Sequence, residues 1–293
     1  MKKLIVILGP TASGKSSYAI YLAKLYNGVI ISADSRQIYK EMNIGTAKPN
    51  RIEQKGIKHF LINHIKPNES YSLANFQNDV HKTINDLPDS KLPFLVGGTG
   101  LYISSIVDGY FIPRVKPNKI LRRKLEQKTT KQLSAYLKRL APRSTHSIDL
   151  NNRRYLIRAI EIAKDAHIDV VKKKKRDNSL YDVLQIGIQI NRDELYKKIN
   201  DRVDQMIKRG LVAEVKKLSQ KYSWDLPAMS GIGYKQIGQY LRGEISKDKA
   251  VELIKRDTRH YAKRQLTWFR KDKSICWVNN QQQAQALIKN HLK

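Results

Sequence analysis

Three short apolar runs alternate with helical patterns in the first part of the chain. Leu4–Leu8, Val29–Ser32 and Leu92–Val96 are mostly apolar and read as buried strands. Between them, Lys15–Tyr26 carries apolar residues at helical spacing, and Tyr71–Leu87 is also predicted to be helical. Continuous apolar strands that alternate with helices predict an α/β fold, with a parallel sheet covered by helices on both faces.

The middle of the chain has a different pattern. Residues 114–179 are predicted to be mostly helical, whereas Leu184–Ile190 is predicted to return to the sheet as a strand. From Arg192 onward the pattern is mostly helical. We therefore expect a core formed by residues 1–113 and 180–293, with C-terminal helices, and a helical insertion formed by residues 114–179.

Charge gives this insertion a possible role. The chain of 293 residues holds 56 Lys and Arg against 26 Asp and Glu, a formal net charge of +30. Residues 114–176 hold 20 of the basic residues and 5 of the acidic ones, so about half of the excess charge lies in this stretch. A strongly basic protein indicates a polyanionic partner, most often a nucleic acid. The alternative is a lysine-rich composition without a specific partner, and the run Lys172–Arg176 is predicted to be a solvated loop tip.

Cysteine content and hydropathy bear on location. Cys276 is the only cysteine, which excludes an intrachain disulfide, and we expect a reducing, cytoplasmic environment. No apolar stretch approaches the ~20 residues that a membrane-spanning helix needs, so no membrane association is expected. The histidines show no spacing typical of zinc ligands, and no zinc site is predicted.

The segment GPTASGKS follows the first predicted strand directly. Its form, G-x-x-x-x-G-K-S between a strand and a helix, is that of a phosphate-binding loop. The glycines let backbone N–H groups converge on anionic oxygens, and the following helix adds its positive N-terminus. Lys15 supplies a cation, and the Ser16 hydroxyl is a suitable Mg²⁺ ligand. The predicted phosphate-binding residues are Gly9, Pro10, Thr11, Ala12, Ser13, Gly14, Lys15 and Ser16.

A carboxylate follows the second predicted strand rather than the third. P-loop NTPases usually hold Mg²⁺ with a strand-end Asp, but Leu92–Val96 ends in Gly97-Gly98-Thr99. Val29–Ser32 instead leads to Asp34, and ligands bind at the carboxyl ends of parallel strands. Three roles remain open for Asp34: binding Mg²⁺ through water, accepting a proton from a nucleophile, or capping a short helix at Ser35–Tyr39.

Five motifs together resemble a known family. They span nearly the whole chain: GPTASGKS, ISADSRQIYKEMNIGTAKP (Ile31–Pro49), VGGTGLYI (Val96–Ile103), GIGYKQ (Gly231–Gln236) and TRHYAKRQLTWFR (Thr258–Arg270). In this order they resemble the bacterial tRNA dimethylallyltransferases, the isopentenyltransferase family that modifies adenosine 37 beside the anticodon. The second motif is far more specific than the phosphate loop.

The resemblance implies a prenyl transfer that needs no nucleotide hydrolysis. The bound phosphates would belong to dimethylallyl diphosphate, the N6 amine of adenosine 37 would attack the allylic C1 carbon, and pyrophosphate would leave. By analogy Asp34 is the base, Thr99 lies near the reacting centre and Arg202 reaches toward the diphosphate. Lys15 and Mg²⁺ on Ser16 would neutralise the charge that develops on the leaving group.

The resemblance also implies contacts with the anticodon stem–loop. The site is expected to be a channel that tRNA enters from one end and the isoprenoid from the other, with the basic insertion holding the RNA. The implied contacts are Asp34, Ser35, Arg36, Gln37, Thr99, Arg122, Arg154, Tyr155, Arg158, Gly233, Tyr234 and Lys235. Arg123 is an alternative to Arg122. Tyr155 stands where arginine is common, so it either stacks on a base or packs internally, and Arg153 is a candidate for the missing charge.

Three other functions remain open from the sequence. A P-loop kinase would turn over ATP and would leave the basic insertion unused. An isopentenyltransferase acting on free AMP or ATP would share the loop and Asp34 but would need no insertion that binds RNA. A non-catalytic RNA-binding protein is disfavoured by the intact loop. We expect a monomeric enzyme whose partners are tRNA and dimethylallyl diphosphate and whose cofactor is Mg²⁺.

Overall fold

A parallel sheet forms the core of the fold. The structure, a computed structural model, describes residues 1–113, 115, 117–146, 148–166 and 180–293. Its strands are β1 (Lys2–Leu8), β2 (Gly28–Ala33), β3 (His59–Phe60), β4 (Leu92–Gly97), β5 (Tyr181–Ile188) and β6 (Cys276–Val278). They lie in the order β3-β2-β4-β1-β5-β6, and every pairing between them is parallel.

Eleven α-helices and one short 3-10 helix, Pro142–His146, occur within the described residues. The α-helices, in chain order, are α1 (Lys15–Leu25), α2 (Leu73–Asn85), α3 (Gly100–Val107), α4 (Lys119–Glu126), α5 (Thr130–Leu140), α6 (Arg153–Ala166), α7 (Arg192–Lys208), α8 (Leu211–Ser219), α9 (Tyr234–Leu241), α10 (Lys247–Phe269) and α11 (Gln281–Leu292). Among these described residues, no helix combines the length and the apolar character that crossing a membrane requires.

Helices cover both faces of the sheet because successive strand residues point to opposite sides. Val6 of β1 packs in one buried cluster with residues of α2 and α3. Ile5 and Ile7 pack in a second cluster with residues of α1 and α11. The predicted α/β class, a parallel sheet with helices on both faces, is confirmed.

The two edge strands are absent from the sequence-based prediction. His59–Phe60 and Cys276–Val278 are two and three residues long, too short to produce a recognisable alternation. Each is defined only by its pairing, β3 with β2 and β6 with β5. The strand predicted at Leu184–Ile190 instead begins at Tyr181, because β1 pairs with it from Lys2 onward.

The chain divides into two compact units. One comprises Met1–Val107 with Leu180–Lys293, and the other comprises Asp108–Ser179. The second unit contains α4, α5 and α6, whose leucine and isoleucine side chains form a separate buried cluster. The run Lys172–Arg176, predicted to be a loop tip, lies outside the described residues.

In the sheet-containing unit, a further buried cluster joins the C-terminal helices to the segment after β2. Ile38 and Met42 from that segment pack with buried residues of α8, α9 and α10. This packing fixes residues 34–47, which follow the carboxyl end of β2, against the helical layer.

Candidate active site

The phosphate loop joins the carboxyl end of β1 to the N-terminus of α1. Gly14 caps α1 with a φ of 84°, in the left-handed region that favours glycine. The backbone N–H of Ser13 donates to Pro10 O at 3.2 Å, which closes the loop. Lys15 Nζ also donates to Pro10 O at 3.2 Å, so the ammonium lies over the loop. The loop therefore has the geometry of an anion site at a helix N-terminus.

Lys15, Asp34 and Arg202 influence one another electrostatically. Burial lowers the pKa of Lys15 to about 8; the Asp34 carboxylate opposes this shift, and the Arg202 guanidinium adds to it. Burial also lowers the pKa of Arg202, again against the effect of Asp34. Two cations that are desolvated by burial therefore feel the field of a single carboxylate, which leaves a positive site suited to an anion. Arg202, which the resemblance places near the diphosphate, lies among the residues that line the cavity of the phosphate loop.

Two cavities meet at this cluster. The first cavity has a volume of about 110 Å³ and is lined by Lys15, Ser16 and other loop residues together with Gln37 and His59. The second cavity has a volume of about 320 Å³. The residues that line both cavities are Thr11, Asp34, Thr46, Ala47 and Arg202. A ligand in one cavity can therefore reach a ligand in the other beside Asp34.

The second cavity combines apolar and polar walls. Its apolar and aromatic lining residues include Val203, Met206, Ile232, Ile254 and Tyr261, and its polar lining residues include Ser35, Arg36, Thr258 and Arg264. Burial raises the pKa of Tyr261 to about 12. The Asp34 carboxylate adds to this rise, and a hydrogen bond with Thr99 opposes it. The Tyr261 hydroxyl therefore stays protonated at neutral pH. Such a wall suits a planar heterocycle with polar edges.

Asp34 uses one oxygen to order the turn that follows it. Its Oδ1 accepts hydrogen bonds from Arg36 N at 2.8 Å and from Gln37 N at 3.4 Å. The predicted helix at Ser35–Tyr39 does not form; the residues make turns instead. Within the described residues no group bonds to Oδ2 at hydrogen-bond distance. The helix-capping role is therefore excluded. Asp34 orders the turn through Oδ1, which leaves Oδ2 for a chemical role.

Thr99 connects the glycine turn after β4 to the residue next to Asp34. Its Oγ1 accepts from Ser35 N at 3.1 Å and lies 3.4 Å from Ser35 Oγ. Thr99 N donates to Ala33 O at 3.2 Å. Thr99 thus fixes the backbone on both sides of Asp34.

Gln265 of α10 is a site residue that the sequence analysis missed. Its Oε1 accepts from Thr11 N at 2.8 Å, and its Nε2 donates to Gly98 O at 2.8 Å. A Cβ at Gly98 would overlap Nε2, so the close approach requires glycine. Gln265 lies on the buried face of α10 with Ala262 and Phe269. The only sign of this role in the sequence is that a polar glutamine stands on the otherwise apolar face of α10.

The implied tRNA contacts of the sheet-containing unit differ in accessibility. Arg36 donates through Nη1 to Pro227 O at 2.6 Å, and Gln37 Nε2 donates to Thr46 O and Ala47 O at 3.3 Å. Lys235 is exposed. Gly233 lines the second cavity.

Tyr234 requires a correction. Its side chain is only 1% exposed, so the ring is part of the helical core and presents no face to an RNA. Its hydroxyl is also occupied, since it donates to Glu214 Oε1 at 2.7 Å. Aromatic residues on amphipathic helices usually pack inward, and Tyr234 does so within the cluster formed by the C-terminal helices.

Glu161 organises the arginines of the second unit. This carboxylate is 1% exposed and accepts from Arg122 Nε and Nη2, both at 2.7 Å, and from Arg158 Nη1 at 3.2 Å. Arg158 Nη2 also donates to Val115 O at 2.8 Å. Arg122 and Arg158 therefore have an internal structural role that the sequence analysis did not anticipate.

Other residues of α6 remain available to a partner. Arg154 is exposed, and Tyr155 is 55% exposed, so Tyr155 does not pack internally. Arg153 is committed elsewhere, because its guanidinium donates to Lys128 O at 2.5 Å and to Glu126 O at 2.9 Å, at the end of α4.

Comparisons with known proteins agree with the motifs. A family model described as IPP transferase matches residues 37–272. A tRNA dimethylallyltransferase from Acetivibrio thermocellus is 46% identical over 301 residues, covering 99% of this chain and 96% of that protein. A tRNA dimethylallyltransferase from Microcystis aeruginosa is 47% identical, covering 94% of this chain and 87% of that protein.

Solved structures give the same result for the fold. A tRNA isopentenylpyrophosphate transferase from Bacillus halodurans is 37% identical with a TM-score of 0.74, covering 100% of this chain and 95% of that one. A eukaryotic dimethylallyltransferase acting on tRNA is 28% identical with a TM-score of 0.77, covering 92% of this chain and 70% of that one. The resemblance is therefore confirmed, and the chain belongs to the IPP transferase family.

Proposed function

We propose that the protein transfers a dimethylallyl group from dimethylallyl diphosphate to N6 of adenosine 37 in tRNA, with release of pyrophosphate. The observation that carries this proposal is the meeting of the two cavities at Asp34 and Arg202. An allylic diphosphate held by the phosphate loop and an adenine held in the second cavity would meet beside the Asp34 carboxylate. The arrangement suits a displacement between two bound substrates.

The first cavity suits the diphosphate. Lys15 and Arg202 supply positive charge, and the N–H groups of Gly14, Lys15 and Ser16 at the start of α1 supply hydrogen-bond donors. Ser16 and Asp34, which line the same cavity, are oxygen donors of the kind that Mg²⁺ prefers and would be the groups that hold the ion. When bound, Mg²⁺ adds to the neutralisation of the leaving pyrophosphate.

Asp34 is the base of this mechanism. As the N6–C1 bond forms, the C1–O bond breaks and pyrophosphate leaves with the bonding electron pair. The carboxylate takes the proton that N6 loses, which the amine of a conjugated purine holds too tightly to lose unaided. The hydrogen bonds to Oδ1 from Arg36 N and Gln37 N hold Asp34 in place. Lys15 and Arg202 stabilise the negative charge that develops on the pyrophosphate as it leaves.

The acceptor is proposed to be an RNA loop rather than a free nucleotide. A nucleotide in a loop is unpaired and can be turned out of its stack at modest cost. In the unit Asp108–Ser179, the exposed residues Arg123, Arg154 and Tyr155 are the proposed RNA contacts. Arg122 and Arg158, held by Glu161, would shape this surface and contribute charge to it. All of these residues come from one chain, so the proposal requires only a monomer.

The test offers several acceptors to one labelled donor. Labelled dimethylallyl diphosphate and Mg²⁺ are incubated with an unmodified anticodon stem–loop that contains A37, with AMP and ATP as competitors. We expect label in the RNA alone. Label in AMP or ATP alone would contradict tRNA as the substrate, and consumption of ATP without transfer of label would indicate a kinase.

A further inference from the structure

Buried Tyr234 and half-buried Glu214 form a hydrogen-bonded pair beside the active site. The Tyr234 hydroxyl donates to Glu214 Oε1 at 2.7 Å. Burial and the nearby Glu214 carboxylate raise the pKa of Tyr234, so the hydroxyl remains a donor throughout the physiological range. We name this pair, formed by α9 and α8, the Glu214–Tyr234 clasp.

The clasp holds the backbone of residues 43–45. Glu214 Oε2 accepts from Asn43 N at 2.9 Å and from Ile44 N at 2.8 Å, and Oε1 accepts from Gly45 N at 3.1 Å. With the Tyr234 hydroxyl, one carboxylate collects four hydrogen bonds. Hydrogen bonds to an ionised acceptor are stronger than those between neutral groups. Glu214 therefore fixes this loop far more firmly than a neutral side chain would.

The ring of Tyr234 sets the depth of the same loop. A Cβ at Gly45 would lie 2.5 Å from Tyr234 Cε2, so only glycine allows the backbone to rest on the ring. The Glu214 carboxylate binds the N–H groups of residues 43–45, and the Tyr234 ring packs against the backbone at Gly45. Together they leave residues 43–45 little freedom to move.

The held loop continues into the walls of both cavities. Gly45 lines the second cavity, and Thr46 and Ala47 line both. The carbonyls of Thr46 and Ala47 accept from Gln37 Nε2, and Gln37 Oε1 accepts from Ser32 Oγ at 3.4 Å. A displacement of residues 43–45 would therefore be transmitted to the walls where the two substrates meet.

We propose that Glu214 and Tyr234 are positioning residues that hold residues 43–47 as the wall of the acceptor cavity. This inference rests on the proposed transfer to tRNA. It differs from a direct RNA contact by Tyr234, because both side chains act on the substrate only through the loop. It predicts that the two residues act as one unit.

The test is a double-mutant cycle with a matched control. The variants are Tyr234→Phe, Glu214→Gln and the double variant. Tyr240→Phe is the control, because Tyr240 lies on α9, packs against the same buried cluster and lines neither cavity. We expect kcat/KM for the anticodon stem–loop to fall about threefold in Tyr234→Phe and about 10- to 30-fold in Glu214→Gln. The double variant should match Glu214→Gln within about twofold, because coupled residues are not additive.

Two further readouts separate positioning from a general loss of structure. The KM for dimethylallyl diphosphate should stay within about twofold of wild type in Tyr234→Phe, while hydrogen exchange at the amides of residues 43–45 becomes faster. Additive effects in the cycle, or unchanged exchange at these amides, would overturn the clasp. Absence of transfer by the wild-type protein would overturn the proposed function, whereas wild-type transfer with unchanged variants would overturn the clasp alone.

Discussion

Gln265 provides a quantitative test of how the phosphate loop is held. The change is Gln265→Leu, which keeps a side chain of similar size but removes the hydrogen bonds to Thr11 N and Gly98 O, each 2.8 Å long. Gln265 is 5% exposed, so water cannot readily replace these bonds. A buried backbone group left unpaired costs about 1–3 kcal/mol. Two such groups predict a loss of about 2–6 kcal/mol in the free energy of unfolding.

The same change should weaken diphosphate binding. Thr11 borders both cavities, and without Gln265 the loop spends only part of its time in the competent shape. If that fraction falls to about one fifth, the affinity for pyrophosphate falls about fivefold. Urea unfolding gives the stability, and calorimetric titration with pyrophosphate and Mg²⁺ gives the affinity.

An exposed glutamine supplies the matched control for this experiment. Gln220→Leu, at an exposed position after α8, should change the free energy of unfolding by no more than about 0.5 kcal/mol. A Gln265→Leu variant that is as stable as this control and binds pyrophosphate like the wild type would show that Gln265 does not hold the loop.

Four further predictions follow from the same geometry. Asp34→Asn should keep the affinity for the stem–loop, measured by fluorescence anisotropy, but reduce kcat about 10²- to 10⁴-fold; a parallel loss of RNA binding would assign Asp34 a structural role instead. Since Lys15 has a pKa of about 8 against an ordinary value of 10.5, it loses its charge as the pH rises through 8; pyrophosphate affinity should fall above pH 8 in the wild type, and Lys15→Met should bind weakly with a flatter profile. Arg154→Ala should weaken RNA binding and reduce the slope of log K against log salt by about 1, and an unchanged slope would exclude a phosphate contact. Glu161→Gln removes the buried carboxylate that pairs with Arg122 and Arg158 and should lower the stability by about 1–3 kcal/mol in thermal unfolding, because both arginines are partly exposed and water can stabilise them; wild-type stability would show that the cluster is dispensable.

The central part of the fold could be predicted because its signals are local. Leu4–Leu8 is apolar at every position since helices cover both of its faces, and the phosphate loop follows within the same stretch of chain. The position of Asp34 beside the loop also follows from a general rule about the carboxyl ends of parallel strands. The edge strands, β3 and β6, could not be predicted, because they exist only through pairing with distant residues.

The supporting contacts of the site could not be predicted for the same reason. Gln265 meets Thr11, 254 positions away, and Glu214 meets the loop after β2 across about 170 positions. Neither residue belongs to a spacing that indicates a site. The burial of Tyr234 and the commitment of Arg122 to Glu161 likewise depend on tertiary packing, which a motif does not specify.

The proposed transfer is tested most directly when both products of a single reaction are measured. Dimethylallyl diphosphate and Mg²⁺ are supplied with two stem–loops, one with A37 and one with guanosine at that position, and pyrophosphate release is measured together with the mass and position of the modified nucleoside. We expect one pyrophosphate to be released per dimethylallyl group attached, with the group at N6 of A37 and none on the guanosine substrate. Pyrophosphate release without prenylated A37, or equal prenylation of both stem–loops, would contradict the proposed transfer.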